Sequence, residues 1–248
     1  DNQEITQWLG DADRQLQVAE KDIGRDLKTL KDQFENQSAF NEEILTEGAD
    51  VRFLTMNAKR NMDAEKVYRQ ELANFRQTVL PRKFNDSFRE EPEPTILRDI
   101  LNKANGQYGD LKTTSSHLTQ RLRVLVDHHQ LFNNAVTGIL PWLGNAETTL
   151  AKLLKEPISA DPTAIEKQIE KLQNLRNDVV QHLSDVEKVN DTANDLVVIQ
   201  PAVERDVSRQ ADDINQRYQA LEGQIDDRLA ALRRALSQSQ GVQENLDM

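Results

Sequence analysis

Residues 8–16 read WLGDADRQL and residues 142–150 read WLGNAETTL, so most of a nine-residue stretch recurs 134 positions later. The chain has only two tryptophans, and each stretch contains one of them. Apolar residues around the stretches recur at the same offset: Ile5 and Ile139, Ala12 and Ala146, Leu16 and Leu150. The sequence therefore predicts two equivalent structural units.

The composition favours long helices with wide polar faces. Only 9 glycines and 7 prolines occur in 248 residues, aromatic residues make up 5%, and charged residues make up 29%. Such a chain has little material for turns or for a broad β core. The absence of cysteine excludes disulfides and thiolate metal sites.

The charge and hydropathy exclude several classes of partner. A net charge of −11 argues against nucleic acid and against anionic lipid, because both need clustered basic residues. No stretch approaches the roughly 18 apolar residues of a membrane span, and we see no signal-peptide pattern. We expect no membrane insertion and a cytoplasmic location.

Apolar residues spaced alternately by four and three predict long helices that bury one seam. The longest seam covers 97–153 and contains Pro141, where we expect a kink. The next seam covers 162–198, and Asp161 with Pro162 suits its first turn. The last covers 201–247, with Pro201 in its first turn. Each of these segments is predicted to be one helix.

The N-terminal third carries two more predicted helices. Residues 5–23 and 40–58 each show the apolar spacing of a helix. The second pattern runs on through Tyr68, Leu72, Phe75 and Val79 until Pro81.

Five helices of this order predict two three-helix antiparallel bundles that share the long middle helix. A single amphipathic helix cannot bury its stripe, whereas three helices can enclose a common seam. We predict an all-α chain with bundles at 1–127 and 128–248, joined by a continuous helix. Tyr108 and Tyr218 recur at an offset of 110, so the first bundle carries about 24 extra residues near 64–93.

The repeated aromatic residues are the expected core markers. We expect Trp8 and Trp142 to lie inside the seams of the first helices, where an indole reaches both neighbouring helices. Tyr108 and Tyr218 mark the third helices, and Leu16 and Leu150 belong to the same set.

Some polar residues fall on or beside the seams. Arg176 and Asn190 either fix the register of the helices or reach to the edge of the bundle, and we favour the edge. Ser115 is expected to be a small filler. His129 is expected at a seam position and His128 in solvent.

No motif of an enzyme or a cofactor site is present. The sequence lacks the glycine-rich phosphate loops and the H-E-x-x-H metal motif. We therefore expect no catalytic residue, cofactor, metal or small-molecule substrate. One basic group, Arg76, Arg82 and Lys83, lies beside Glu90 and Glu91, and this cluster is either a docking surface or a solvated loop.

The whole chain resembles a tandem pair of spectrin repeats. The residues that carry the resemblance are QWLGDADRQL (7–16), PWLGNAETTL (141–150), NGQYGDLKT (105–113) and NQRYQALEG (215–223). In that family the third-helix aromatic is often tryptophan, so the two tyrosines and the insertion at 64–93 are departures. The PWL context resembles the rod of a spectraplakin or plakin, with spectrin, α-actinin, dystrophin and nesprin as alternatives.

The resemblance implies a non-catalytic rod segment of a large cytoskeletal linker. Such a segment bears tension and sets the distance between actin- or microtubule-binding ends. Its expected partners are other cytoskeletal or junctional proteins and further repeats of the parent chain. The alternative is a protein docking module that uses the insertion or the junction near His128. A helical domain of a regulatory enzyme and a membrane-curving bundle are weaker alternatives.

Overall fold

A computed structural model describes residues 2–79 and 95–246, and these residues form helices without a single strand. The predicted all-α class is confirmed. The elements are α1 (Asn2–Lys21), α2 (Leu27–Val79), α3 (Thr95–Lys155), α4 (Pro162–Gln181), α5 (Leu183–Ile199), a 3₁₀ turn (Pro201–Val203) and α6 (Glu204–Leu246).

The described residues group into two compact units. Unit 1 comprises Asp1–Gly24 with Lys28–Arg123, and unit 2 comprises Arg25–Leu27 with Val124–Met248. Helix α3 therefore supplies the last helix of unit 1 and the first helix of unit 2. The predicted bundle boundary at residue 127 stays a prediction.

Unit 1 buries the seams of α1, α2 and the first part of α3. Its fully buried side chains include Leu16 on α1, Leu30 and Ile44 on α2, and Leu118 and Leu122 on α3. They follow helical spacing, which is why each helix presents one apolar stripe to the other two. Burial of each such side chain contributes roughly 1.5–3 kcal/mol before entropy is subtracted.

Unit 2 has a continuous apolar core built from the rest of α3, from α4 and α5, and from α6. Leu143 on α3, Ile165 on α4 and Ile225 on α6 are each 0% exposed. The buried positions of α2 recur in unit 2 at an offset of 135. The corresponding pairs are Leu30 and Ile165, Gln37 and Leu172, Phe40 and Leu175, Ile44 and Val179, and Val51 and Val186.

Helix α2 begins earlier than the sequence pattern indicated, at Leu27 rather than near Phe40. It continues into the insertion and ends at Val79, where the pattern that runs to Pro81 predicted its end. The apolar pattern of its last part does not continue the seam, because Tyr68, Phe75 and Val79 are 63%, 61% and 58% exposed.

Tyr68, Phe75 and Val79 are exposed because of the register between α2 and α3. The hydroxyl of Thr55 on α2 donates a hydrogen bond to Oδ1 of Asn105 on α3. Because the helices run antiparallel, the start of α3 at Thr95 lies opposite roughly residue 65 of α2. The last four turns or so of α2 therefore have no described helix beside them.

The prediction of one helix over 162–198 is wrong. The segment is divided at His182 into α4 and α5. Asp161 caps α4 as expected, since its carboxylate accepts the N–H of Ala164 at 3.0 Å and Pro162 opens the helix. The start of the final segment also differs, because Pro201 opens a 3₁₀ turn and α6 follows at Glu204.

Helix α3 remains α-helical through Pro141, where the sequence suggested a kink. Pro141 lacks the N–H that would bond the carbonyl of Thr137. Both residues lie on the exposed side of α3, so water can reach that carbonyl. No helix in the described part of the chain is both long and apolar enough to cross a membrane.

We predict that Pro141→Ala stabilises the chain by about 1–3 kcal/mol, because alanine restores the missing hydrogen bond and removes the ring from the helix interior. Urea unfolding followed by circular dichroism measures the change. The control is Pro162→Ala at the first turn of α4, where no bond is lost to proline and no comparable gain is expected. Equal or lower stability of Pro141→Ala would contradict the prediction.

Candidate functional site

Trp142 joins the three helical layers of unit 2. Its indole N–H donates to the carboxylate of Asp178 on α4 at 2.9 Å. Its ring stacks on His182, with centroids 4.0 Å apart and planes 9° apart, and lies 6.4 Å from the ring of Tyr218 on α6. The indole thus contacts both neighbouring layers, as an amphipathic aromatic group at the edge of a core can do.

Tyr218 places its hydroxyl against the backbone of α4. The residue is 3% exposed, and its hydroxyl donates to the carbonyl of Val179 at 2.9 Å. Burial raises the pKa of Tyr218, and the carboxylates of Glu222 and Glu187 raise it further. The phenol therefore stays a neutral donor at physiological pH.

The same carbonyl lies at the break between α4 and α5. The N–H of His182 bonds Val179 O at 3.1 Å, a tighter turn than that of an α-helix. The ring Nδ1 of His182 lies 2.9 Å from the carbonyl of Asp178, so the side chain takes part in ending the helix. Leu183, the next residue, is 44% exposed.

Unit 1 holds its equivalent tyrosine differently. A Cβ placed on Gly48 would overlap the hydroxyl and ring of Tyr108, so Tyr108 packs directly on the backbone of α2. Gly48 lies 135 positions before Leu183, the residue at the break in unit 2. Where the position is glycine the second helix is continuous, and where it is leucine the second helix is broken and the side chain points outward.

The other expected core markers occupy different depths. Leu16 and Leu150 are 1% and 2% exposed. Trp8, Trp142 and Tyr108 are half-buried. The deepest places beside the two tryptophans belong to Leu9 and Leu143, so the indoles lie at the edge of the seams and not at their centres.

Ser115 does more than fill space in unit 1. It is 0% exposed, and its hydroxyl accepts the amide N–H of Gln37 at 3.0 Å and donates to Asn41 Oδ1 at 3.0 Å. A buried amide needs such partners, because an unpaired one is costly. The sequence signal for this contact was a polar residue in each of two seams, Gln37 in that of α2 and Ser115 in that of α3. The prediction that Ser115 only fills space overlooked this pairing.

The two polar seam residues of unit 2 behave differently from each other. Asn190 on α5 and Asn215 on α6 exchange two amide hydrogen bonds of 3.1 and 2.8 Å. Arg176 instead pairs with Asp226 at 2.9 Å at the exposed edge. The edge position favoured for both residues therefore holds for Arg176, whereas Asn190 forms a pair that matches two helices in register.

A further polar link joins the first and third helices of unit 2. Arg217 on α6 donates two hydrogen bonds of 2.8 Å to the carboxylate of Glu147 on α3. This hydrogen bonding lowers the pKa of Glu147 and raises the pKa of Arg217. The two-bond geometry is the strongest form of a carboxylate–guanidinium pair.

His128 and His129 form structural contacts. Nε2 of His129 lies 2.7 Å from Oε1 of Gln200, and both residues are 8% exposed. His128 is half-buried rather than in solvent, with Nδ1 at 3.0 Å from the carbonyl of Val124. In the described ranges no three histidine or acidic side chains are grouped so that they could hold a metal ion.

Only one residue of the candidate docking cluster lies in the described part of the chain. Arg76 is on α2 and is half-buried. Arg82, Lys83, Glu90 and Glu91 lie outside the described residues. The cluster therefore stays a prediction.

Comparison with known proteins gives two findings. Residues 127–234 match the family model of the spectrin repeat. The whole chain is 26% identical to microtubule-actin cross-linking factor 1, isoforms 1/2/3/4, of Mus musculus, and covers 3% of that protein. The identity is also 26% to the Homo sapiens protein, isoforms 1/2/3/4/5, again over all of this chain and 3% of the relative. It is 25% to the Rattus norvegicus protein, of which the chain covers 4%.

We predict that Gly48→Ala destabilises unit 1 by about 2–3 kcal/mol, because the new methyl group forces Tyr108 off the α2 backbone. Thermal unfolding measures the loss. Gly106→Ala is the matched control, since a Cβ there meets nothing within 4 Å and alanine should add about 0.5–1 kcal/mol. An equal response of the two variants would show that Tyr108 does not pack on Gly48.

We predict that Glu147→Gln lowers the stability of unit 2 at pH 7 by about 0.5–1 kcal/mol, a modest loss because both side chains are about one-third exposed and screened by water. The folded-state pKa of Glu147 is lowered, so its contribution is present above the unfolded pKa near 4.5 and disappears as the pH falls through the folded pKa.

Urea unfolding of both proteins at a series of pH values checks this dependence. The free energies of unfolding of wild type and Glu147→Gln should converge as the pH falls well below 4.5. A difference that stays constant down to pH 2.5 would contradict the prediction.

Proposed function

We propose that the chain is a non-catalytic rod segment of a large cytoskeletal linker, because residues 127–234 match the spectrin repeat and the whole chain is similar to a spectraplakin. The relatives are named as cross-linkers of microtubules and actin. The chain spans about 3% of their length, so filament-binding regions would lie elsewhere in a parent chain.

The observation that carries the proposal is the continuity of α3. This helix is unbroken from Thr95 to Lys155 and buries Leu118 and Leu122 in unit 1 and Phe132 and Leu143 in unit 2. A helix held by a core at both ends resists bending, because bending requires breaking its backbone hydrogen bonds.

Each bundle would also let the chain lengthen under tension. When a helix pair unfolds under load, the chain lengthens, because an extended residue spans about 3.3–3.6 Å and a helical residue only 1.5 Å. The contacts that oppose unfolding of unit 2 are the apolar core and polar links such as Glu147–Arg217 and Asn190–Asn215.

The partners we propose are cytoskeletal or junctional proteins and further repeats of the parent chain, with a location at the cytoskeleton in the cytoplasm. Spectrin repeats and cytoskeletal linkers are typically non-catalytic. The proposed role needs no substrate, and shape and stiffness carry it.

Small-angle scattering of the 248-residue chain tests the rod. The proposed rod predicts a radius of gyration on the order of 30 Å, whereas a compact chain of this length should give about 18 Å. Asp127→Pro, at an exposed position of α3, should interrupt the helix and lower the value while most of the helical circular dichroism remains. A wild-type value near 18 Å, or no response to Asp127→Pro, would contradict the rod.

A second candidate function is protein docking through the insertion of unit 1. Its specific support is the end of α2, where Val67, Tyr68, Phe75 and Val79 are between 56% and 63% exposed. Exposed aromatic and branched side chains on one helix are typical of surfaces that bind another protein.

Co-sedimentation with purified F-actin and with microtubules separates the two candidates. A pure rod segment should stay in the supernatant. A docking module should pellet with one filament and lose binding in Tyr68→Ser/Phe75→Ser and in a deletion of 64–93, while circular dichroism shows an intact fold. Val198→Ser is the control, because Val198 is 79% exposed in unit 2.

A further inference from the structure

Helices α2 and α3 enclose a cleft of about 290 Å³ in unit 1. Met62 on α2 and Leu101 on α3 supply its apolar part, and Leu101 is 8% exposed. Lys59, Lys66 and Arg98 line the same cleft with basic side chains that solvent reaches. The cleft therefore joins apolar surface to positive charge, as binding sites for charged ligands with an apolar part do.

The cleft lies in a basic region of an acidic chain. Residues 55–69 and 95–105 together carry six basic and three acidic side chains, whereas the whole chain carries 31 basic and 42 acidic ones. Among the described residues that line the cleft, Asp63 is the one carboxylate. Charge complementarity therefore favours an acidic partner at this place.

The two lysines of the cleft have no ion-pair partner in the described part of the chain. Arg69, on the next turn of α2, differs from them because it pairs with Glu65 at 2.7 Å. Asp63 lies about one helical turn from Lys59 and from Lys66 and pairs with neither. Both ammonium groups are thus available to carboxylates of another molecule.

The spacing of the lysines fits an extended peptide. Lys59 and Lys66 are seven residues apart on α2, which is a rise of about 10 Å, and they lie within roughly 20° of each other around the helix. An extended chain covers that distance in about three residues. Two carboxylates at this separation can reach the two lysines, while apolar residues between them lie over Met62 and Leu101.

We propose that this cleft, lined by Lys59, Met62, Lys66, Arg98 and Leu101, binds an acidic peptide in an extended conformation. The binding is weak, with a dissociation constant on the order of 100 μM, because exposed ion pairs contribute little and ordering the peptide costs free energy. The inference does not depend on the proposed rod function, and it uses other residues than the exposed apolar end of α2.

Fluorescence anisotropy of a labelled octapeptide, two leucines flanked on each side by three glutamates, tests the proposal with the 248-residue chain. The dissociation constant should be about 100 μM in about 50 mM salt and should rise at least roughly three-fold in about 300 mM salt. Replacing the glutamates by glutamine, or the leucines by serine, should each weaken binding roughly ten-fold. Equal binding of the three peptides, or no binding of the first up to about 1 mM, would overturn the proposal.

Charge reversal locates the site. Lys59→Glu/Lys66→Glu should weaken binding of the acidic peptide roughly ten-fold or more. The same variant should bind the peptide in which lysine replaces every glutamate, a gain that an unfolded chain could not show. Lys167→Glu/Lys188→Glu makes the same change of net charge at exposed positions of unit 2 and should bind the acidic peptide like wild type. Full binding by the first variant, or an equal loss in the second, would overturn the proposal.

A third variant separates a peptide of another molecule from the acidic residues of this chain. Glu90→Gln/Glu91→Gln/Glu93→Gln should bind the acidic peptide within about two-fold of wild type. A gain of roughly ten-fold or more would show that these residues compete for the cleft from within the chain. That result would overturn the proposal of a separate partner.

Discussion

Three amphipathic helices must meet along one apolar seam, and this constraint organises each unit of the chain. A helix with one apolar stripe is stable only when other stripes cover it. Helix α3 meets the constraint twice, with Leu118 and Leu122 in one core and with Leu143 and Leu150 in the other. The spacing of apolar residues along α3 therefore has to stay in phase for its whole length, and the helix is continuous for that reason.

The tyrosines of the third helices show how the same packing problem has two solutions. A phenol that reaches across the seam needs room at the backbone of the second helix. Unit 1 provides the room by omitting a side chain at Gly48, and α2 stays continuous. Unit 2 has Leu183 at the position equivalent to Gly48. There the helix divides at His182, and the carbonyl of Val179 accepts the hydroxyl of Tyr218. Glycine at this position thus accompanies a continuous second helix in unit 1, and leucine accompanies a divided one in unit 2.

The sequence was sufficient for the helical class, the repeat and the long shared helix, because apolar spacing and the recurrence of WLG report burial directly. The sequence was insufficient for features that depend on particular contacts of a side chain with the backbone or with another side chain. The break at His182 leaves the apolar pattern of 162–198 intact, so periodicity cannot reveal it. The bond from Gln37 to Ser115 and the place of Leu143 beneath Trp142 depend on which side chains meet across helices. Tyr68 and Phe75 follow helical spacing, yet α3 begins too late to cover them.

The central claim is that the backbone of α3 is one helix where it passes from unit 1 to unit 2. Amide hydrogen exchange, read residue by residue over 118–132, measures this most directly. The account predicts that these amides exchange as slowly as those in the middle of either core, because each is bonded within a helix whose buried side chains belong to unit 1 up to Leu122 and to unit 2 from Leu125. Rapid exchange confined to residues 122–128, with protected amides on both sides, would contradict it.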